Sequence, residues 1–112
     1  MFGLVIHELR IYEIYEHNQQ AFLDRFRDHA ARIMERYEFD IRAMWVERGG
    51  DRPRFVYLLA WPDDDAMRSS WEAFLADEEW RQIKRDTTAA HGDLVGEIDE
   101  MILVPTDFSP SI

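Results

Sequence analysis

The chain has 112 residues, of which 46% are hydrophobic and 13% aromatic, enough to build the core of one domain spanning residues 1–112. Its 23 acidic and 13 basic residues give a net charge of −10, and such a surface repels phosphate backbones and anionic lipid headgroups. Nucleic acids and membrane surfaces are therefore not expected partners. The sequence has no cysteine, which excludes disulfides, thiolate metal sites and cysteine nucleophiles.

The first ten residues, MFGLVIHELR, lack a basic region, and their apolar run is too short for an export signal. No segment approaches the length of a membrane span. These two observations predict a cytoplasmic protein.

Residues 4–15 (LVIHELRIYEIY) alternate in polarity and predict a long first strand. Asn18 is expected to cap a helix that runs to about Tyr37. One face of this helix is an apolar stripe formed by Phe22, Phe26, Ala30, Ile33 and Tyr37. The opposite face is expected to be solvated and carries Asp24, Arg25, Asp28, Arg32 and Glu35.

Two further strands, residues 41–48 and 54–61, flank the turn sequence GGDRP and predict a β-hairpin. The run Asp63, Asp64 and Asp65 is expected to open the next helix, because carboxylates satisfy the free N–H groups there. Asp77 is a second expected cap, for a helical piece that ends at His91 and Gly92. The last strand is predicted over residues 97–104.

This order of elements predicts an α+β, ferredoxin-like βαββαβ fold, a four-stranded antiparallel sheet with the helices on one face. Strict alternation in the third strand sets Phe55, Tyr57, Leu59 and Trp61 opposite Val56, Leu58 and Ala60. Both faces of the strand are therefore apolar, and pairing with a second copy would cover the open one. We expect a homodimer through the open sheet face, which is a dimeric α/β barrel.

Four segments resemble the NIPSNAP family: HELRIYEI at 7–14, AMWVER at 43–48, FVYLLAW at 55–61 and LADEEWRQI at 75–83. The resemblance implies the dimeric α+β-barrel fold. It does not choose an activity, because related barrels include monooxygenases, isomerases, decarboxylases and proteins without known chemistry. Ala43 departs from the family pattern, which usually has glycine there.

Glu8, Arg10 and Tyr12 lie two residues apart on the first strand and so share one face. If Leu9 and Ile11 meet the helices, this polar row lies on the open face. Arg10 would then bind an anionic oxygen, Tyr12 would donate a hydrogen bond, and Glu8 or a histidine at the rim would move a proton. The alternative is that Glu8 and Arg10 only neutralise each other.

Tyr57, Trp61 and Trp45 are candidates for an aromatic wall beside this row, with His91 at its rim. Ordinary packing is the alternative for each aromatic side chain, and a helix C-terminus explains His91. The alternation of the second strand does not decide which face of the sheet Trp45 occupies.

No pair of histidines has the spacing of metal ligands, and the aspartate run suits a helix cap better than a cation site. The sequence lacks a phosphate-binding loop and a dinucleotide fingerprint, so neither a metal nor another cofactor is expected. Haem remains a further possibility, with His7 or His91 as its ligand.

Two functions stay open. One is an isomerase, cyclase or cofactor-independent monooxygenase acting on an aromatic or polyketide-like small molecule. The other is a non-catalytic module that binds a small organic ligand or mediates assembly.

Overall fold

The computed structural model describes residues 5–112; Leu4, the first residue of the predicted strand, lies outside this range, as do residues 1–3 of the segment considered for export. Four strands form one antiparallel sheet in the order β2-β3-β1-β4. Their bounds are β1 Ile6–Ile14, β2 Asp40–Glu47, β3 Arg54–Trp61 and β4 Val95–Leu103. The ferredoxin-like α+β fold predicted from the sequence is confirmed.

The helical segment between β1 and β2 runs from residue 16 to residue 36. It starts with a 3₁₀ turn (Glu16–Asn18) and continues as α1 (Gln19–Arg25), a π turn (Phe26–Ala30) and α2 (Ala31–Arg36). After the hairpin come α3 (Asp64–Ala76) and α4 (Glu78–His91). Among residues 5–112, no helix is both long and apolar enough to cross a membrane.

Three of the predicted helix boundaries have the expected chemistry. Asp63 accepts a hydrogen bond from the Ala66 N–H at 2.8 Å, and Asp77 accepts one from the Trp80 N–H at 2.8 Å. Gly92 ends α4 with a positive φ of 79°, a conformation that glycine adopts without a steric penalty.

The predicted cap at Asn18 is wrong. Its side chain makes no capping bond at α1; instead the buried amide donates to the backbone carbonyls of His91 and Asp93, at 3.0 and 2.8 Å. Asn18 therefore ties the start of the first helix to the end of α4.

The helices cover the face of the sheet that carries the polar row of β1, which corrects the expected orientation. Glu8, Arg10 and Tyr12 stand opposite Leu59, Tyr57 and Phe55 in the antiparallel register, and cross-strand partners share a face. The β3 side chains of this face are buried in one core with helical side chains; members include Phe22, Phe26, Ile33, Phe74 and Trp80.

Leu9 and Ile11 therefore lie on the open face with Val56 and Leu58, not against the helices. Within residues 5–112 the centre of this face is apolar and partly exposed, and charged residues such as Glu13, Arg54 and Asp99 lie towards one end of it. Its exposed large apolar side chains include Trp45 at 50%, Met101 at 47% and Leu103 at 42%.

Candidate functional site

The buried carboxylate of Glu8 organises the polar row. Glu8 is 1% exposed, and its Oε1 accepts hydrogen bonds from two indole N–H groups, Trp61 at 3.0 Å and Trp71 at 2.8 Å. Its Oε2 accepts from Arg10 Nη1 at 3.4 Å. With three donors on one carboxylate, the geometry gives Glu8 the role of an anchor for two tryptophans and an arginine.

The guanidinium of Arg10 lies between that carboxylate and the surface. Its Nη1 also bonds Glu100 Oε2 at 2.6 Å, and its Nη2 donates to the Tyr12 hydroxyl at 3.2 Å. Its Cζ lies 4.3 Å from the centroid of the Trp71 ring, a cation–π distance. The buried Nε has no hydrogen-bond partner among residues 5–112.

Arg10 is a permanent cation in this setting. Burial opposes its charge, but the neighbouring Tyr12, Tyr57 and Glu8 together raise the pKa of its guanidinium above the ordinary value. A fixed positive charge at a partly buried position attracts an anionic or strongly polarised oxygen.

The hydroxyls of Tyr12 and Tyr57 are 2.6 Å apart, and their rings meet edge to face. Burial, together with the hydroxyl of Tyr12, raises the pKa of Tyr57 well above its usual value. Tyr57 therefore stays protonated, and its O–H is able to donate a hydrogen bond to the Tyr12 oxygen. In that arrangement Tyr12 accepts from both Arg10 and Tyr57, which leaves its own O–H free to donate elsewhere.

A cavity of about 230 Å³ lies between the sheet and the helices beside these groups. Arg10 and Tyr12 line it on the sheet side, and most of its remaining lining is apolar. The rings and aliphatic side chains that enclose it include Phe22, Phe26, Met34, Trp71, Phe74 and Trp80. The π turn contributes both Phe26 and Ala30, and π turns are often found at functional sites.

An adjoining, more open pocket of about 340 Å³ is lined by Glu8, Met67 and Glu100 among others. Arg10, Trp71 and Leu75 line both this pocket and the cavity. The Arg10 guanidinium is therefore approached from two sides.

Two more cations line the cavity, Arg25 from α1 and Lys84 from α4. The Arg25 Cζ and the Lys84 Nζ lie 5.3 and 5.7 Å from the centroid of the Trp80 ring. Arg25 was expected on the solvated face of its helix, and that expectation is wrong because it is partly buried here. The cavity is thus aromatic in its walls and positive in its charged groups.

The remaining predicted site residues divide between the two faces of the sheet. Trp61 lies in the core, where it bonds Glu8, and Tyr57 supports Tyr12. Trp45 pairs with Val56 in the register and so lies on the open face, away from the polar row. His91 is exposed at the end of α4 and does not line the cavity.

His7, the other histidine considered as a haem ligand, lines a separate pocket of about 430 Å³ where the C-terminal tail meets the open face. Within residues 5–112, no three histidine or acidic side chains are grouped as a metal site would require.

Sequence reasoning missed Trp71, Arg25 and Lys84 as members of the site. A helical signal for the two cations was present, because Arg25 follows Phe22 by three residues and Lys84 follows Trp80 by four. Such neighbours share a helix face. Nothing in the sequence pairs the indole N–H of Trp71 with Glu8.

The sequence model of the NIPSNAP family matches residues 7–110. The chain belongs to the NIPSNAP family. Two solved NIPSNAP structures share its fold. A NIPSNAP-like domain protein of Burkholderia xenovorans is 22% identical with a TM-score of 0.82, over 98% of this chain and 92% of that one. A NIPSNAP family protein of Agrobacterium tumefaciens is 23% identical with a TM-score of 0.82, over 95% and 97%.

A monooxygenase of Streptomyces coelicolor, solved in complex with the ligand nanaomycin D, is a more distant structural neighbour. It is 13% identical with a TM-score of 0.60, over 97% of this NIPSNAP chain and 95% of the monooxygenase. No protein with a curated description matches the sequence. These likenesses establish the fold, and they leave the chemistry to the site itself.

Proposed function

We propose that this NIPSNAP protein binds a small aromatic or polyketide-like molecule in the cavity between the helices and the sheet and acts on it as an enzyme. The observation that carries the proposal is the mainly aromatic cavity that Arg10 and Tyr12 line on the sheet side. Ligand sites are typically apolar recesses with a few convergent polar groups, and a cavity beside Arg10 favours a ligand over a filled interface.

The polar end of the cavity suits the stabilisation of an oxyanion. Arg10 keeps one Nη2 N–H beyond its bond to Tyr12, and Tyr12 has an O–H to donate when Tyr57 donates to it. Both groups would stabilise an enolate or phenolate oxygen as its charge develops. Isomerisation, cyclisation and oxygenation without a cofactor all pass through such an anion. The nanaomycin D complex of the Streptomyces monooxygenase provides a precedent for ligand binding by this fold.

One observation favours a non-catalytic binding module instead. Neither carboxylate beside Arg10 is free to take a proton from a ligand, because Glu8 is held by three hydrogen-bond donors and Glu100 is paired with the Arg10 guanidinium at 2.6 Å. The general base must then be the ligand itself, water or a group that moves into place on binding.

The test is mass spectrometry of small molecules released from the purified protein. We expect the wild-type chain to retain an aromatic compound and Ala30→Leu, which fills part of the cavity, to retain less of it. Ala90→Leu on the exposed end of α4 is the control. Equal retention by all three proteins would locate the compound outside the cavity.

Once a compound is known, its chemistry separates the alternatives. Consumption of O₂ indicates oxygenation, whereas exchange of a carbon-bound hydrogen for deuterium without O₂ consumption indicates proton transfer. A compound that is bound and released unchanged in both assays identifies a binding module.

We also propose that the open sheet face pairs with a second copy of the chain. Trp45 and Met101 are about half exposed there and lie beside partly exposed side chains of the other strands, such as Leu9, Ile11, Val56 and Leu58. An exposed apolar centre of this kind is unfavourable in water, and a two-fold dimer covers it with an identical surface.

A further inference from the structure

Among residues 5–112, two cations at the cavity lack the carboxylate partner that eight of the twelve arginines have. Arg32 and Arg36, for example, both pair with Glu79; the other unpaired arginines, Arg48, Arg81 and Arg85, do not line the cavity. Arg25 and Lys84 are partly buried, yet neither has a carboxylate within ion-pair distance among the same residues. Burying part of an unpaired cation costs free energy. These two cations stay unpaired although the chain has many acidic residues.

The two cations also converge on one ring. Both lie within 6 Å of the Trp80 centroid, and that indole is itself buried and stacked on Phe74 at a centroid distance of 5.2 Å. Desolvation by burial lowers the pKa of Arg25; burial, followed by the charges of Arg25 and Arg81, lowers that of Lys84. An anion between Arg25 and Lys84 would relieve both the desolvation and their mutual repulsion.

We infer that the ligand of this cavity is an aromatic anion whose carboxylate or phenolate is bound by Arg25 and Lys84 while its ring lies against Phe22, Phe26 and Trp80. This inference rests on the proposed function and names its substrate class. Arginine binds a carboxylate through a two-pronged fork, and lysine adds a compact charge. The cavity is smaller than the roughly 300–1,000 Å³ of sites for drug-sized ligands, so one ring or two fused rings would fill it.

The preference for an anion comes from the charges that line the cavity and not from the net charge of the chain. At a distance the net charge of −10 repels an anion, so the two cations are the groups that make binding favourable once the ligand is inside. Arg10, at the sheet side of the same cavity, uses three N–H groups on Glu8, Glu100 and Tyr12 and keeps one Nη2 N–H for a second oxygen of the ligand.

Calorimetric titration with two matched probes tests the inference. 1-Naphthoate carries the anion, and 1-naphthalenemethanol has the same rings with a neutral CH₂OH group. We expect the wild-type protein to bind the anion about tenfold more tightly, the effect of one charge-assisted hydrogen bond. Arg25→Gln with Lys84→Gln should abolish this preference and leave the affinity for the neutral probe unchanged.

Two single variants on α4 serve as controls. Lys84→Arg keeps the charge and should keep the preference, and Arg85→Gln removes an exposed charge that does not line the cavity and should have no effect. A thermal melt of each variant establishes that it is folded before titration.

The possible failures are distinct. Equal affinity for the two probes, unchanged by the double variant, would overturn the anion inference and leave the cavity as a ligand site. If neither probe binds and the purified protein retains no aromatic compound, the anion inference and the proposed function both fail.

Discussion

Replacing Glu8 by glutamine is expected to destabilise the fold by about 2–3 kcal/mol. The amide oxygen is able to keep both indole bonds, but they change from charge-assisted to neutral and lose roughly half their strength. The new NH₂ group replaces Glu8 Oε2, which lies 3.4 Å from Arg10 Nη1. The attraction between carboxylate and guanidinium is thus replaced by a contact between two hydrogen-bond donors. Arg10 keeps its bond to Glu100, which limits the loss.

Glu8→Ala should cost more, about 3–5 kcal/mol, because it removes the buried partner of a cation and leaves two indole N–H groups without an acceptor. Urea unfolding followed by circular dichroism measures both effects. With a slope of about 1.5 kcal/mol per M urea, the glutamine variant should lower the midpoint by roughly 1.3–2 M. Glu97→Gln, on an exposed residue of β4, is the control. A Glu8→Gln midpoint within about 0.5 M of wild type would refute the view that Glu8 anchors the row.

Three further predictions concern the tyrosine pair, acid stability and assembly. Tyr12→Phe should destabilise the chain by about 1–3 kcal/mol, more than Tyr57→Phe does, because only Tyr12→Phe leaves a fully buried hydroxyl, that of Tyr57, without its partner. A larger loss of stability for Tyr57→Phe in urea unfolding would contradict this view of the tyrosine pair. Two arginines hold the pKa of Glu79 at about 2, below its ordinary 4.5, so its contribution is complete above pH 4.5 and lost as the pH falls towards 2. Between pH 4.5 and 2, Glu79→Gln should therefore lose less free energy of unfolding than wild type does. If the free energy of unfolding falls equally with pH in both proteins, Glu79 does not contribute to acid stability in this way. Leu58→Glu should convert the proposed dimer into a monomer in light scattering, whereas Ser69→Glu, exposed on α3, should not; a monomeric wild type would contradict the dimer.

The fold was predictable because local signals agreed with one another. Period-two alternation marked the strands, and Asp63 and Asp77 marked helix starts through a chemistry that depends only on neighbouring backbone N–H groups. The π turn was not predictable, since its extra residue is accommodated by packing between the helix and the sheet.

The orientation of the polar row could not be read from β1 alone. Leu9 and Ile11 are as apolar as Ile6 and Ile14, so periodicity offered two equivalent faces. Glu8 lies on the face that the helices cover, and indole N–H groups of β3 and α3 satisfy its carboxylate there. These hydrogen bonds form only when β1, β3 and α3 pack together, and they explain how a charged residue is accommodated in the core.

The cation pair at the cavity illustrates the same limit. Arg25 and Lys84 come from helices that are distant in sequence, and each alone has the pattern of an ordinary surface residue. Their convergence on Trp80 depends on how α1 and α4 pack. From the sequence, Arg25 was expected on the solvated face of its helix and nothing was predicted for Lys84, because the site exists only once the two helices meet.

A crystal structure with bound 1-naphthoate tests the central claim most directly. The account predicts density for the rings between the helices and the sheet, beside Phe22 and Trp80, with an oxygen within hydrogen-bond distance of Arg25, Lys84 or Arg10. Density on the open sheet face or in the pocket beside His7, with the helix–sheet cavity unchanged, would contradict it.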